Sequence, residues 1–241
     1  MAEQRVAIVT GAAAGIGRAV ALALAARGWR LVLGDCDAAA VLEVAEQAGA
    51  AALALSGDLT EDDAPAALVS RAGEQGMLAG IVHCAALFPR LALQDTRIAD
   101  FDRVMAINLR VAVQLTLCGA REMTGGGALV FLTSGSGLLS AAADPFQRGF
   151  ALYGASKAAL DRWVAGVAGE LAEAGVFANT ITPGAFVETP GLAGQGITPP
   201  PGAETISADQ VAQAVVRLVE DRSGRFAGER LSAARFDGGA R

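Results

Sequence analysis

A tyrosine and a lysine four residues apart form the most distinctive chemical pair in the chain. Tyr153 is the only tyrosine and Lys157 the only lysine among 241 residues, because the other eighteen basic residues are arginines. On a helix, side chains at i and i+4 share a face, so the ammonium can lie near the phenol oxygen. A positive charge there favours phenolate and lowers a pKa that starts near 10. The spacing therefore predicts a general acid/base that works near neutral pH.

Two other polar residues occupy positions that suit the same site. Ser134 ends the fifth predicted strand, at the sheet edge where Tyr153 should also arrive, and its hydroxyl could bind a substrate oxygen. Ser136 is a rival for this role, although the strand register favours Ser134. Asn108 lies in a predicted helix, where asparagine is a poor helix former without a special task. We therefore take Ser134, Asn108, Tyr153 and Lys157 as the candidate catalytic residues.

A glycine-rich turn, TGAAAGIG at residues 10–17, follows the first predicted strand. Gly11 permits a sharp turn, and Gly15 and Gly17 allow a ligand and the strand to approach the backbone closely. The helix that follows offers free N–H groups and a positive dipole end to a pyrophosphate. This arrangement predicts dinucleotide binding at Gly11, Gly15, Ile16 and Gly17.

An acidic residue, Asp35, ends the second predicted strand. A carboxylate at this point can accept hydrogen bonds from the adenosine ribose and would repel a 2′-phosphate. The next residue is Cys36, so no adjacent cation would compensate a phosphate, and Arg18 is assigned to the surface of the first helix. Asp35 thus favours NAD over NADP. The alternative is an ordinary turn acid before Asp37.

The positions of these residues require a scaffold that brings strand ends to one edge. Seven short β-branched or leucine-rich runs alternate with helical stretches, and several lack polar alternation, as in strands buried on both faces. The pattern predicts an α/β class protein with a Rossmann-type, doubly wound, three-layer fold around a parallel sheet of about seven strands. No linker divides the chain, so residues 1–241 are expected to form one domain. The predicted strands are residues 5–10, 30–34, 51–56, 80–84, 128–133, 176–181 and 230–236.

Two segments interrupt the alternation, residues 138–149 and residues 185–205. Both follow the carboxyl ends of strands, where such sheets bind ligands. Long irregular segments of compact domains are often lids, and we expect residues 185–205 to form the substrate lid. A disordered surface loop is the alternative for that segment.

Charge and cysteine usage exclude several classes of function. The net charge of −6 argues against nucleic-acid and anionic-membrane partners. No apolar run reaches the roughly 18 residues of a membrane span. The N-terminal residues lack a secretory pattern and the three cysteines are scattered, which predicts a cytoplasmic protein. One histidine with three scattered cysteines makes a poor zinc site, so we expect no metal.

Taken together, these motifs resemble the short-chain dehydrogenase/reductase family over essentially the whole chain. The resemblance implies hydride transfer between a nicotinamide cofactor and an alcohol or carbonyl. It implies that Tyr153 is the acid/base, that Lys157 binds the nicotinamide ribose and lowers the tyrosine pKa, that Ser134 holds the substrate oxygen, and that Asn108 anchors a water of a proton relay. The residues and motifs that carry it are TGAAAGIG, Asp35, Gly57-Asp58-Leu59, Asn108, Ser134, YGASK and Pro183-Gly184.

The resemblance also implies cofactor contacts elsewhere. Asp58 and Leu59 match the adenine contacts, and Val187 and Thr189 match contacts to the cofactor carboxamide. After the fourth strand the family usually reads Asn-Asn-Ala-Gly, whereas this chain reads His83-Cys84-Ala85-Ala86. Backbone contacts from His83 and Ala85 could survive this change. We interpret His83 as a structural substitute, with a redox or substrate role as the alternative, and Cys84 as a small buried hydrophobic residue.

These inferences lead to an NAD(H)-dependent oxidoreductase that interconverts a small secondary alcohol and its ketone. Two alternatives remain open: an NADP-linked 3-oxoacyl reductase that acts on a carrier-bound thioester, and a dinucleotide-binding regulator that has lost catalysis. In the resembling family the helix with Tyr and Lys often packs between subunits. The Ala/Gly-rich stretch at residues 163–169 would allow close helix approach, so a homotetramer or homodimer is expected.

Overall fold

The centre of the structure is one sheet of seven parallel strands in the order β3-β2-β1-β4-β5-β6-β7. The structure is a computed structural model and describes residues 4–236. The strand order reverses between β1 and β4, and at such a switch point the carboxyl ends of the strands open a crevice. The strands are β1 (Arg5–Thr10), β2 (Arg30–Asp35), β3 (Ala52–Ser56), β4 (Met77–His83), β5 (Gly127–Leu132), β6 (Val176–Thr182) and β7 (Arg230–Ser232).

Helices cover both faces of the sheet, which confirms the predicted doubly wound fold. Ala7 and Val9 of β1 pack in one apolar cluster with α1, α2 and α8, and Val6 and Ile8 pack in a second cluster with α3, α5 and α6. Alternate residues of a strand point to opposite faces, so two clusters imply three layers. The helices are α1 (Gly15–Ala25), α2 (Ala38–Ala48), α3 (Ala64–Gln75), α4 (Ile98–Met105), α5 (Val111–Glu122), α6 (Ala151–Glu173), α7 (Pro190–Gly194) and α8 (Ala208–Glu220).

The predicted strand boundaries differ from the observed ones mainly at β4 and β7. The fourth strand begins at Met77, three residues earlier than predicted. The prediction of a seventh strand through Phe236 is wrong, because β7 ends at Ser232 and a 3-10 turn, Ala233–Arg235, follows. Its partner β6 ends at Thr182, so the next residues have no neighbouring strand to pair with.

The two irregular segments contain short ordered elements. Residues 138–149 include two 3-10 turns, Leu139–Ala143 and Pro145–Gln147. Residues 185–205 contain α7, and a bridge joins Phe186 to Thr205 near the two ends of the segment. Both segments leave the sheet at its carboxyl edge, as predicted.

Candidate active site

A cleft of about 1770 Å³ runs along the carboxyl edge of the sheet. It extends from the glycine turn after β1 to the segment after β6, and it brings together most of the residues that the sequence singled out. Those that line it are Gly11, Gly15, Ile16, Gly17, Asp35, Asp58, Leu59, Ala85, Ser134, Tyr153, Lys157, Val187 and Thr189. His83 and Asn108 lie behind its wall.

The glycine turn at one end of the cleft cannot carry side chains at its close contacts. Gly11 has a positive φ of 67°, and a Cβ atom there would lie 2.6 Å from the backbone nitrogen of Ala85. The helix α1 begins at Gly15 behind Ala14, which provides no side-chain cap, and its first turn holds no acidic residue. The N–H groups of that turn are therefore available to an anion in the cleft. This is the cradle that a pyrophosphate requires.

Backbone hydrogen bonds fix the carboxylate of Asp35 beside the glycine turn. Oδ2 accepts a hydrogen bond from the Ala13 nitrogen at 3.0 Å, and Oδ1 accepts one from the Asp37 nitrogen at 3.0 Å. Cys36, the next residue, also lines the cleft. Arg18 points away, and its guanidinium donates to Gln47 Oε1 at 2.7 Å. The cleft therefore presents a carboxylate at this point, and Arg18 does not offset its charge.

The acid/base candidate is held against the end of β5 by close backbone packing. Tyr153 lies in the first turn of α6, and the next residue, Gly154, packs so closely that a Cβ atom would lie 2.6 Å from the Ser136 carbonyl oxygen. This approach brings Tyr153 to the end of β5, where Ser134 also lines the cleft. Of the two serines, Ser134 is the one whose hydroxyl acts on the pKa of the phenol.

The balance of effects on the tyrosine differs from the predicted one. Burial raises the pKa of Tyr153 above its ordinary value, and the hydrogen bond from Ser134 opposes this only in part. The sequence predicted a lowered pKa through Lys157, but the lysine Nζ is 5.8 Å from the centre of the phenol ring. It donates instead to the Leu132 carbonyl at 2.7 Å. Burial of the phenol is therefore the largest effect on its pKa.

Lys157 is itself destabilised as a cation. Its side chain is buried at 2% exposure, and burial lowers its pKa to about 8, while Cys84 and Asp161 act in the opposite direction. Because this pKa is close to neutral pH, a charged group that binds beside Lys157 can change the protonation state of the lysine.

Asn108 lies behind the wall of the cleft and forms hydrogen bonds with two elements of the site. It is fully buried in a π-helical turn, Ala106–Arg110, between α4 and α5. Its Oδ1 accepts from the Leu87 nitrogen at 2.8 Å, and its Nδ2 donates to the Leu87 oxygen at 2.8 Å and to Ser156 Oγ at 2.9 Å. Both amide hydrogens are thus used to tie the loop after β4 to α6. The side chain therefore connects these two parts of the site.

His83 has a structural setting. It is completely buried, and its Nε2 lies 3.2 Å from the Ile107 carbonyl, which can only accept, so Nε2 carries the proton. Nδ1 therefore accepts from Thr10 Oγ1 at 2.8 Å. Burial lowers the pKa of His83 to about 3, which keeps it neutral. Its side chain joins β1 to the π-helical turn and does not reach the cleft, which agrees with the structural interpretation.

Cys84 is less buried than the sequence analysis predicted. It is half-buried and lines the cleft, and burial raises the pKa of its thiol to about 12. It is therefore an uncharged thiol at neutral pH and adds an apolar surface to the wall beside Lys157.

Two supporting residues escaped the sequence analysis. Arg230 of β7 donates to the Ser134 carbonyl at 2.8 Å and to Asp161 Oδ2 of α6 at 2.9 Å, so it fixes the serine and the helix together. Ser156 receives the hydrogen bond from Asn108 and donates to the Tyr153 carbonyl at 2.7 Å. Contacts between residues 96 positions apart leave no local signal, whereas Ser156 stands inside the YGASK motif and could have been found there.

Two kinds of feature are absent from residues 4–236. No helix in this range is long and apolar enough to cross a membrane. Within the same range, histidine, cysteine and acidic side chains do not gather in groups of three that could hold a metal ion.

Comparison with known proteins agrees with this geometry. Residues 5–196 match the family described as short chain dehydrogenase. A cis-4-hydroxycyclohexanecarboxylate dehydrogenase of Sinomonas cyclohexanicum is 32% identical over 98% of this chain and 96% of its own. A sorbitol dehydrogenase of Cereibacter sphaeroides is also 32% identical, over 76% of this chain and 70% of its own.

Solved structures agree as well. A short chain dehydrogenase from Burkholderia cenocepacia, crystallised in complex with NADP, superposes with a TM-score of 0.83 at 28% identity and covers 94% of both chains. The sequence match, the sheet order and the Ser-Tyr-Lys arrangement lead to one conclusion. The chain belongs to the short-chain dehydrogenase/reductase family.

Proposed function

We propose that the protein is an NAD(H)-dependent oxidoreductase that interconverts a small secondary alcohol and its ketone. The observation that carries the proposal is that Ser134, Tyr153 and Lys157 line the same cleft as the glycine turn and Asp35. A proton-transfer group and a dinucleotide cradle in one cleft are what hydride transfer at a carbinol needs.

In this proposal the substrate oxygen lies between the hydroxyls of Ser134 and Tyr153. A nicotinamide bound in the cleft supplies the hydride chemistry. During reduction the protonated phenol donates to the developing alkoxide, and Ser134 stabilises the negative charge on that oxygen. During oxidation the phenol must first lose its proton, which its raised pKa resists. Lys157 supports the phenolate by its charge when it is protonated.

The same cleft supports a specific cofactor assignment. The cradle of Gly11, Gly15, Ile16 and Gly17 suits a pyrophosphate, and we assign the adenine to Asp58 and Leu59, the nicotinamide ribose to Tyr153 and Lys157, and the carboxamide to Val187 and Thr189. The backbone of His83 and Ala85 is assigned to the wall along the cofactor. Asp35 supports NAD, because its fixed carboxylate would repel a 2′-phosphate.

The cofactor assignment is tested by direct binding. We expect NADH to bind at least about 10-fold more tightly than NADPH, a difference of ~1.4 kcal/mol in binding free energy. Asp35→Asn should reduce the ratio of the two dissociation constants. Dissociation constants from nucleotide fluorescence measure this. Tighter binding of NADPH to the unaltered protein would contradict it and would favour the alternative, an NADP-linked 3-oxoacyl reductase. The Burkholderia protein, which was crystallised with NADP, supports the cofactor of that alternative.

The catalytic assignment is tested by Tyr153→Phe, which removes only the phenol oxygen. We expect at least a 100-fold loss of turnover with an alcohol panel, because general acid/base catalysis contributes roughly 10²–10⁴-fold. NADH binding, measured by fluorescence, serves as the control for an intact cleft and should stay within twofold. Turnover that survives the substitution would exclude the proposed chemistry. The non-catalytic regulator predicts no Tyr153-dependent turnover at all.

The remaining assignments concern the molecule as a whole. We propose one domain over residues 1–241, a cytoplasmic location and a homo-oligomer, either a tetramer or a dimer, formed through α6. We also propose residues 185–205 as the substrate lid. The position of Gly191 supports this, since a Cβ atom there would lie 2.8 Å from the ring of Phe88, which lines the cleft.

A further inference from the structure

Four of the nine phenylalanines gather around the single tyrosine. The ring centres of Phe88 and Phe150 lie 6.0 Å and 6.2 Å from that of Tyr153, both in edge-to-face orientation. Phe146 lies 5.9 Å from Phe150, and Phe186 lies 6.4 Å from Phe146. All four phenylalanines line the cleft. We call these four residues the aromatic pocket.

The exposure of the rings distinguishes the aromatic pocket from ordinary core. Phe150 is buried at 5% exposure and anchors the group, whereas Phe88, Phe146 and Phe186 are only half-buried. These three come from separate parts of the chain: the loop after β4, the 138–149 segment and the 185–205 segment. Rings from three segments that remain partly open beside an acid/base form a surface for an apolar ligand.

A cation holds the pocket in place from outside. The Arg90 guanidinium stacks over the rings of Phe146 and Phe150, at 5.9 Å and 5.6 Å from their centres. Its Nε also donates to the Arg148 carbonyl at 3.0 Å. The next residue, Leu91, donates its backbone N–H to the Gly149 carbonyl at 2.8 Å. The pocket is therefore built before any ligand arrives, which lowers the cost of binding.

We propose that the aromatic pocket binds an apolar ring that carries or adjoins the reacting carbinol, so that the substrate is a cyclic or aryl-substituted secondary alcohol or its ketone. This inference rests on the proposed function and narrows its substrate. Phenyl faces offer no hydrogen-bond partners, so the hydroxyls of a polyol would lose their water there without replacement. A ring gains both buried apolar area and edge-to-face contacts.

A matched set of alcohols tests the substrate class. We expect kcat/KM with NAD⁺ to be at least about 10-fold higher for cyclohexanol and 1-phenylethanol than for 2-propanol or sorbitol. All four contain a secondary carbinol, so the comparison isolates the group attached to it. Equal or better turnover of sorbitol or 2-propanol would overturn the proposal.

Variants then locate the effect. Phe146→Ala should lower the ratio of kcat/KM for cyclohexanol to that for 2-propanol by about 10-fold, since it removes one face of the pocket. Phe101→Ala is the matched control, because Phe101 lies outside the cleft and is already 43% exposed. Arg90→Lys keeps the charge but loses the planar guanidinium and the Nε donor, and we expect it to lower the same ratio about threefold. Unchanged ratios in both pocket variants would contradict the proposal.

A binding measurement separates this inference from the proposed reaction. Saturation-transfer NMR with cyclohexanone needs neither cofactor nor turnover, and we expect binding to weaken about 10-fold in Phe146→Ala and not in Phe101→Ala. If both variants bind cyclohexanone with the same affinity, the proposal that the aromatic pocket binds the ring is overturned, even if Tyr153 proves catalytic. Conversely, a failed Tyr153→Phe test removes the reaction while the binding result still decides the pocket.

Discussion

Burial of Tyr153 and Lys157 disfavours the charged form of both side chains, so it raises the pKa of the tyrosine and lowers that of the lysine. The spacing of the pair, its place on α6 and the partnership with Ser134 follow from the sequence. The direction of the tyrosine pKa does not, because it depends on how much water the folded walls exclude. The hydrogen bonds of the Asn108 amide also could not be predicted from the sequence, because its partners lie in the loop after β4 and on α6.

The lowered pKa of Lys157 makes stability depend on pH. The folded protein releases this proton near pH 8, whereas the unfolded chain holds it to about 10.5. Between these values the unfolded state binds more protons, so the free energy of unfolding rises with pH. Between pH 7.5 and 9.5 the expected gain is about 2 kcal/mol relative to Lys157→Met.

Urea unfolding of both proteins at the two pH values measures this gain. The variant serves as the control because it retains every other titrating group. Parallel pH profiles for the two proteins would show that Lys157 is not destabilised as a cation.

At the level of elements, the contact between α6 and the turn after β5 sets the catalytic geometry. A Cβ atom at position 154 would meet a backbone oxygen, which cannot move as a side chain can. We expect Gly154→Ala to cost about 1–3 kcal/mol of stability and to lower kcat, because Tyr153 would shift relative to Ser134.

Gly73→Ala is the matched control for that substitution. Gly73 is exposed in α3, and a Cβ atom there meets only Glu122 Oε2 at 3.9 Å. Alanine at this helical position should raise the free energy of unfolding by about 0.5–1 kcal/mol and leave kcat unchanged. Thermal unfolding and steady-state rates measure both variants. Equal behaviour of the two would mean that the α6 contact does not position the tyrosine.

The elements themselves were largely predictable. Uninterrupted apolar runs identify the buried strands, and β1 agrees with its predicted bounds, residues 5–10. The extent of β7 was not predictable, because a strand at the edge of a sheet ends where its neighbour ends. The turns inside residues 138–149 also lack periodicity, and they depend on tertiary contacts such as that between Leu91 and Gly149.

At the scale of the whole molecule, α6 presents small residues to solvent. Ala165, Gly166 and Gly169 are exposed on this 23-residue helix, and Leu117 of α5 is 50% exposed. Small residues let two helices approach closely, so this surface suits contact with a second copy of the chain. We expect sedimentation to give a dimer or tetramer.

Gly169→Trp should shift that assembly towards the monomer, since the bulky ring would separate the helices. Gly73→Trp places the same ring on exposed α3 and should leave the assembly unchanged. A monomeric unaltered protein, or the same sedimentation profile for both variants, would contradict an interface through α6.

The exclusive use of arginine outside the active site has a practical consequence for studying this protein. Lys157 holds the one side-chain amine of the chain, and its lowered pKa leaves much of it unprotonated in mildly alkaline solution. An amine-directed label therefore has one internal target, and that target lines the cleft. A change in the labelling of Lys157 on addition of a nucleotide would report that the nucleotide occupies the cleft.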